Sequence, residues 1–223
     1  MIKKGIFKNY FSFSYRRKAL DKLLEKNKNY YKGIVLDVGG RDRGNFEKPK
    51  TKVEKWIFAD IISEHNPDVV LDVANMQGIE SETIDVVNAI ELFEHVEQIE
   101  SGLKECYRVL KKGGVMILSC PFLTPLHGDP FDFQRWTETK WKNKLKENGF
   151  VVEKFEITGF YFTILADFKK ALIRSLPKVV SYFCKLFYPL LDLVISLDKT
   201  RWVLKNPKLN KFHNGYFIVV RKL

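Results

Sequence analysis

A doubly wound α/β fold with a mostly parallel sheet is the architecture that the 223-residue sequence predicts, on three observations. Short apolar runs of strand length alternate with helix-periodic runs from residue 33 onward. The first run, Gly33-Ile-Val-Leu-Asp37-Val, is nearly all apolar, as a strand covered on both faces should be. It enters Gly39-Gly40, and the next run, Trp56-Ile-Phe-Ala-Asp60, ends in an acid. Glycines at the end of a strand let a ligand approach the backbone, and a carboxylate at the tip of the next strand can take both hydroxyls of a ribose. Together they form the front half of a nucleoside-cofactor site.

The remaining elements follow in order. Residues 14–28 have helical composition, with Phe13, Leu20, Leu23 and Leu24 as an apolar stripe. Only fifteen residues, Pro49 among them, separate Gly40 from Trp56, so an ordinary first crossover helix is short, displaced or absent. Val69–Asp72 reads as a third strand ending in an acid, and Ile84–Ile90 as a fourth. Val96, Ile99, Leu103, Tyr107 and Leu110 mark a helix over 96–111 that Gly113 would stop. Val115–Cys120 is a fifth strand, Thr137–Asn148 a helix ended by Asn148-Gly149, Val151–Ile157 a further strand and Gly215–Val220 the last. The domain division expected is a basic helical extension over 1–32 and one α/β domain over 33–223, with an apolar helical insert at 160–198. Residues 179–197 of that insert make a 19-residue apolar run near the length of a membrane span. Lys185, Pro189 and Asp192 interrupt it, and a single span would strand 215–220 across the bilayer from its sheet. Helices that lie on a membrane, roof a pocket or form a homodimer contact are the expectation.

An apolar content of 45% excludes global disorder. Cys106, Cys120 and Cys184 share no metal or redox spacing and are expected as reduced thiols. No apolar stretch of signal-peptide type follows the basic start, so a cytoplasmic location is expected, with association at the inner face of the membrane. The net charge of +11 is uneven: residues 1–32 carry ten Lys/Arg against two acids, and residues 199–223 carry seven against none. Two basic ends on a mildly acidic body predict attraction to an anionic surface, membrane or nucleic acid.

The second half of the site narrows the class. Ile84-Asp-Val-Val-Asn88-Ala-Ile90-Glu91-Leu-Phe-Glu94-His95 is followed by Arg108-Val-Leu-Lys-Lys-Gly113-Gly114 and the strand Val115–Cys120, closed by Pro121. In this order and spacing the chain resembles class I S-adenosylmethionine-dependent methyltransferases, and more narrowly the type 11 methyltransferase-domain group, over roughly residues 33–158 plus the last strand. The resemblance implies a Rossmann-like seven-stranded sheet with an antiparallel last strand, and S-adenosyl-L-methionine as cofactor. It places Asp37, Gly39 and Gly40 at the methionine end, Asp60 at the ribose, Asp72 and Val73 at the adenine, and Asn88, Ala89 and Ile90 beneath the sulfonium. Arg41 and Arg43 stand where the family turn has glycines. That departure counts more against a dinucleotide, whose pyrophosphate needs close backbone approach, than against a phosphate-free sulfonium ligand.

Two further constellations bear on chemistry. An E-x-x-E-H stretch puts Glu91, Glu94 and His95 within about one helical turn, on neighbouring faces, and with His127 they are a possible divalent-metal set. Ubiquinone-pathway and small-RNA 2′-O-methyltransferases have a similar stretch that ligates a metal, whereas metal-free members of the wider group carry the same letters; the site is read here as metal-free. The loop from Pro125 to Thr137 supplies His127 as candidate general base, Arg135 for an acceptor phosphate or carboxylate, and Phe131 and Trp136 for stacking. An Asp132–Arg135 pair and a Thr137 helix cap that fix the loop are the structural alternative, and for Thr137 the cap is the expectation. The expected reaction is methyl transfer to an oxygen or nitrogen of a small-molecule, glycan or lipid-linked acceptor. A nucleic-acid methyltransferase using the basic ends, a nicotinamide-dependent dehydrogenase and a binding protein that lost its cofactor are the rivals; nucleic acid is disfavoured because no RNA-binding module or base-methylation motif is visible.

Overall fold

Strands β1 (Gly33–Val38), β2 (Val53–Asp60), β3 (Val69–Val70), β4 (Ile84–Ile90), β5 (Leu110–Pro121), β6 (Phe150–Ile157) and β7 (Gly215–Lys222) form one seven-stranded sheet in the order β3-β2-β1-β4-β5-β7-β6. The structure is a computed structural model that describes residues 10–40, 44–128 and 130–223. Pairings among β1 to β5 are parallel, while β7 runs antiparallel to both β5 and β6. The predicted fold class holds, including the antiparallel last strand. The strand order reverses between β1 and β4, so their carboxyl ends open a crevice where ligands bind in such sheets.

Strand alternation divides the core. Leu36, Val38, Val87, Ala89, Met116 and Leu118 face Leu103 and Cys106 of α2 (Ile99–Val109) and Trp141 and Leu145 of α3 (Glu138–Glu147). Val35, Val86, Val115, Ile117, Phe217 and Val219 face the opposite side, where Leu20 and Leu24 of α1 (Tyr15–Lys26) and Tyr31 cover them. Ser14 caps α1 by accepting from the Arg17 amide, and Thr137 caps α3 by accepting from Lys140. Thr137 is therefore the cap expected of it.

Three element boundaries depart from expectation. β3 is only Val69–Val70, because the Asp72 carboxylate accepts from the Ala74 amide and turns the chain away from the sheet. α2 ends at Val109 and β5 starts immediately at Leu110, which pairs with Ile84. Gly113, with φ of 75°, lies inside that strand at a register shift instead of stopping the helix. No helix occurs among the described residues between β1 and β2. Phe46 of this connection lies against Tyr31, which stacks on Trp56, so the chain crosses on the α1 face. Arg41 and Arg43 lie outside the described residues, as do residues 1–9 of the basic start.

The insert folds as α4 (Tyr161–Ser175), α5 (Lys178–Lys185) and α6 (Tyr188–Ser196), followed by α7 (Arg201–Lys205). The 19-residue apolar run is broken at Leu186–Phe187, where the axis bends by 48°. No single helix among the described residues is long and apolar enough to cross a membrane. Asp198 caps α4 by accepting from the amides of Phe160, Phe162 and Thr163. Asp167 accepts from the amides of Tyr15 and Arg16, and the Lys170 ammonium donates to the Tyr10 and Phe13 carbonyls. The insert and the start of α1 are thus one hydrogen-bonded unit.

Candidate active site

At the carboxyl end of β1 the Asp37 carboxylate is fully buried on the α1 face. Asn88 donates to it at 2.6 Å, the Trp56 indole at 2.8 Å, and the Lys48 ammonium lies 3.2 Å away. Tyr31 in turn donates to Asn88 at 2.7 Å. Burial pushes the Asp37 carboxyl up, against the pull of Asn88, Lys48 and Trp56. A side chain at Gly40 would meet this carboxylate at 1.9 Å, so only glycine lets the turn close over it. Around the group is a cavity of about 710 Å³, lined by Asp37, Gly39, Gly40, Asn88 and Ile90, with Arg17 of α1 and Glu47, Lys48 and Lys50 of the β1–β2 connection also in its lining. Its lining comes in large part from the connection between β1 and β2, and its volume falls within the roughly 300–1,000 Å³ of small-molecule sites.

The lining holds both signs of charge, the acids Asp37 and Glu47 and the cations Arg17, Lys48 and Lys50, and such a mixed cavity suits a zwitterionic amino-acid group such as the methionine end of S-adenosylmethionine. Arg17 and Lys48 had no local signal in the sequence; one comes from the preceding helix and the other from an irregular loop. The other expected cofactor residues lie elsewhere. Asp60, buried at the end of β2, accepts from the Ile62 amide at 3.0 Å and contacts His65 Nδ1 at 2.9 Å. It caps its own turn, yet each oxygen retains a second lone pair for a diol. Asp72 is exposed in its turn, while the Val73 side chain packs in the core. Ala89 alternates onto the α2 face, so it offers the cavity no side chain.

At the carboxyl end of β4 the E-x-x-E-H stretch separates. Glu91 takes a left-handed conformation, φ 54°, which costs a non-glycine residue about 1–2 kcal/mol. An ion pair with Arg16 of α1 and a 2.8 Å hydrogen bond from Ser119 hold it there. Burial pushes Glu91 up, but the Arg16 and Arg17 guanidinium groups and Ser119 outweigh it and keep the carboxyl below its usual range. The expected three-residue grouping on one helical turn is thus corrected: Glu91 faces α1, and only Phe93–His95 form a helical turn, of 3-10 type.

Glu94 points instead toward the 125–137 loop. It is 2% exposed, neither carboxylate oxygen has a hydrogen-bond partner, and His95 Nε2 and His127 Nε2 each lie 3.8 Å from Oε1. Burial pushes Glu94 up; the adjacent Glu94 carboxylate in turn raises His127 above the usual imidazole range despite its own burial. One ligand atom each from Glu94, His95 and His127 lie within 4.8 Å of one another, a set that could hold a divalent cation. Gly128, φ 74°, passes so close to the His95 ring that a side chain there would clash at 2.8 Å. His127 Nδ1 is 3.3 Å from the Pro125 carbonyl, and its amide donates to Asp132.

Asp132 forms a two-pronged pair with Arg135, which draws its carboxyl down to about 2. Arg135 is therefore occupied in fixing the loop, and the Nη2 that donates to Asp132 also lies 3.4 Å from His127 Nδ1. The stacking role expected of Trp136 is corrected: the ring is buried against Trp141, Lys140 covers it, and its indole donates to Gln134. Phe131 is exposed beside Phe133 and remains available to an acceptor.

This geometry belongs to a recognisable class. Residues 50–118 match the family model of the methyltransferase domain. The fold is the Rossmann-like methyltransferase fold, and the matched segment runs from just before β2 through most of β5. The glycine turn lies outside the matched segment. No curated protein sequence matches the chain. Among solved structures it is similar to a SAM-dependent methyltransferase from Archaeoglobus fulgidus, at 18% identity and a TM-score of 0.56, covering 99% of this chain and 100% of that one. It is also similar to an O-methyltransferase from a trans-AT PKS multienzyme of Brevibacillus brevis in complex with S-adenosyl-L-homocysteine, at 15% identity, a TM-score of 0.54, and coverage of 94% and 72%. Haemonchus contortus phosphoethanolamine N-methyltransferase 2 in complex with S-adenosyl-L-methionine gives 15% identity, a TM-score of 0.57, and coverage of 92% and 52%. At these identities the likeness is one of fold.

Proposed function

We propose that the protein transfers a methyl group from S-adenosyl-L-methionine to a hydroxyl oxygen of a small-molecule, glycan or lipid-linked acceptor, with His127 as general base. The observation that carries the acceptor half is Glu94, a buried carboxylate without a hydrogen bond, set against His127 Nε2. The donor supplies a methyl already activated on a sulfonium, so this chain's part is to position, desolvate and take up a proton. Asp37, with Arg17 and Lys48, fits the donor's amino and carboxylate groups, and Asp60 its ribose. Nε2 is the basic edge in the tautomer whose Nδ1 donates to the Pro125 carbonyl at 3.3 Å, with the Arg135 nitrogen, a donor 3.4 Å from Nδ1, competing against it. A proton arriving at Nε2 comes to rest beside Glu94, whose charge stabilises the imidazolium. Asp132 and Arg135 hold the loop in register for this step.

The test is a panel of hydroxyl-bearing and amine-bearing acceptors of matched shape, incubated with methyl-labelled donor. Label is expected on the hydroxyl compounds; label confined to amines, at a rate that His127→Gln does not change, would overturn the assignment. A second reading rests on the 4.8 Å cluster of Glu94, His95 and His127, in which a divalent cation binds the acceptor oxygen. On the metal-free reading, chelator treatment leaves turnover unchanged. Loss with EDTA and recovery with one divalent ion selects the second.

A further inference from the structure

We infer that the insert is a docking surface for an anionic lipid bilayer. Its helices are turned inside out. In α5 and α6 the buried side chains are Ser181 and Tyr188, whereas Val179, Phe183, Leu186, Leu190 and Leu193 are exposed, Leu186 by 66% and Leu193 by 67%. Leu165, Phe168 and Leu172 extend the apolar surface along α4, and Trp202 and Leu204 along α7. Isolated exposed leucines are ordinary, but an outward stripe continued over four consecutive helices marks an interaction face.

Charge specifies the partner. Residues 160–212 contain ten Lys/Arg and three acids. The three acids are all turned inward: Asp167 to the amides at the start of α1, Asp192 to Tyr10, and Asp198 to the amides of α4. Of the ten cations only Lys170 is buried and Lys185 half-buried; Lys169, Arg174, Lys178, Lys199, Lys205 and Lys208, among others, are exposed. An apolar face rimmed only by cations matches an interface of acyl chains beneath anionic headgroups. A second copy of the chain is a poorer occupant, because a two-fold contact would set the same cationic rim against itself with no acid to meet it. The bend of 48° and the shortness of α5 and α6 suit helices that lie in the interface. The bonds from Lys170 and Asp167 to the start of α1 make this face rigid, so it need not fold on contact.

Flotation of the full-length protein with phosphatidylcholine vesicles, and with vesicles that also contain phosphatidylglycerol, tests the inference. Co-flotation is expected with the anionic vesicles, weakened by high salt. The Leu186→Glu/Leu190→Glu/Leu193→Glu variant should lower vesicle partition at least about tenfold while its affinity for S-adenosylmethionine stays unchanged. A second variant, Lys205→Glu/Lys208→Glu, changes only exposed side chains and should lose the preference for anionic lipid. Absence of flotation with either lipid at low salt would overturn the inference. So would a salt-resistant dimer of the wild type that the triple variant dissociates, which would assign the face to a second copy.

Discussion

The two edges of the candidate site are built by different means. At β4 and β5 the chemistry is local: Glu91 through His95 follow their strand directly, and the loop after β5 brings His127 and the Asp132–Arg135 pair to the same place. At β1 and β2 it is assembled from a distance. Asp37 is held by Asn88 and Trp56, and its cavity is lined by Arg17 from α1 and Lys48 from the β1–β2 connection. The matched methyltransferase segment includes Glu91–His95 and Asp60 but neither the 125–137 loop nor the glycine turn. The transfer edge is built by residues that directly follow β4 and β5, whereas the donor's amino-acid end depends on which distant cations the fold delivers.

Substitutions sharpen that contrast. The largest effect is expected at the transfer edge. His127→Gln should lower kcat by about 100-fold or more, the usual scale for loss of a general base, with donor affinity unchanged. A loss of donor affinity in place of kcat would make His127 a binding residue. At the other edge, Lys48→Met should weaken S-adenosylmethionine and S-adenosylhomocysteine alike by about tenfold, or ~1.4 kcal/mol. It should leave methylthioadenosine, which lacks the amino-acid end, unaffected. Tighter S-adenosylmethionine binding in this variant would mean that Lys48 repels the donor and that Asp37 alone seats its amino group.

The smallest effect is a displacement in pH. His127 is raised above the ordinary imidazole range chiefly by Glu94, so the acid limb of kcat/KM should lie above about 6.5 in the wild type. Below it the base is already protonated and turnover falls. Glu94→Gln removes the anion that raises His127, and the limb should move to lower pH; imidazole resonances followed by NMR give the same midpoint independently of turnover. An unmoved limb would separate Glu94 from the titrating base.

What the sequence revealed follows the same division. The alternation of strands and helices, the short first crossover and the Thr137 cap could be read because each has a local cause: an apolar run, a short connection, a hydroxyl before a helix; the antiparallel β7 came with the family resemblance. Glu91 misled because its grouping with Glu94 and His95 assumed one helical turn, whereas a left-handed residue fixed by Arg16 reverses its direction. Trp136 misled because an aromatic in a loop gives no sign that Trp141 of the next helix will cover it. The length of β5 depends on pairing of Leu110 with Ile84, which overrides the glycines as helix terminators. The apolar insert was visible as composition, but its outward orientation is a tertiary fact.

Calorimetric titration with S-adenosyl-L-methionine, S-adenosyl-L-homocysteine and NAD, on the wild type and Asp60→Ala, tests the central claim most directly. Micromolar-scale binding of the first two ligands to the wild type is predicted, weakened at least about tenfold in Asp60→Ala by loss of the ribose acceptor, or ~1.4 kcal/mol. Absence of binding by either sulfur ligand, or binding of NAD in their place, would contradict it.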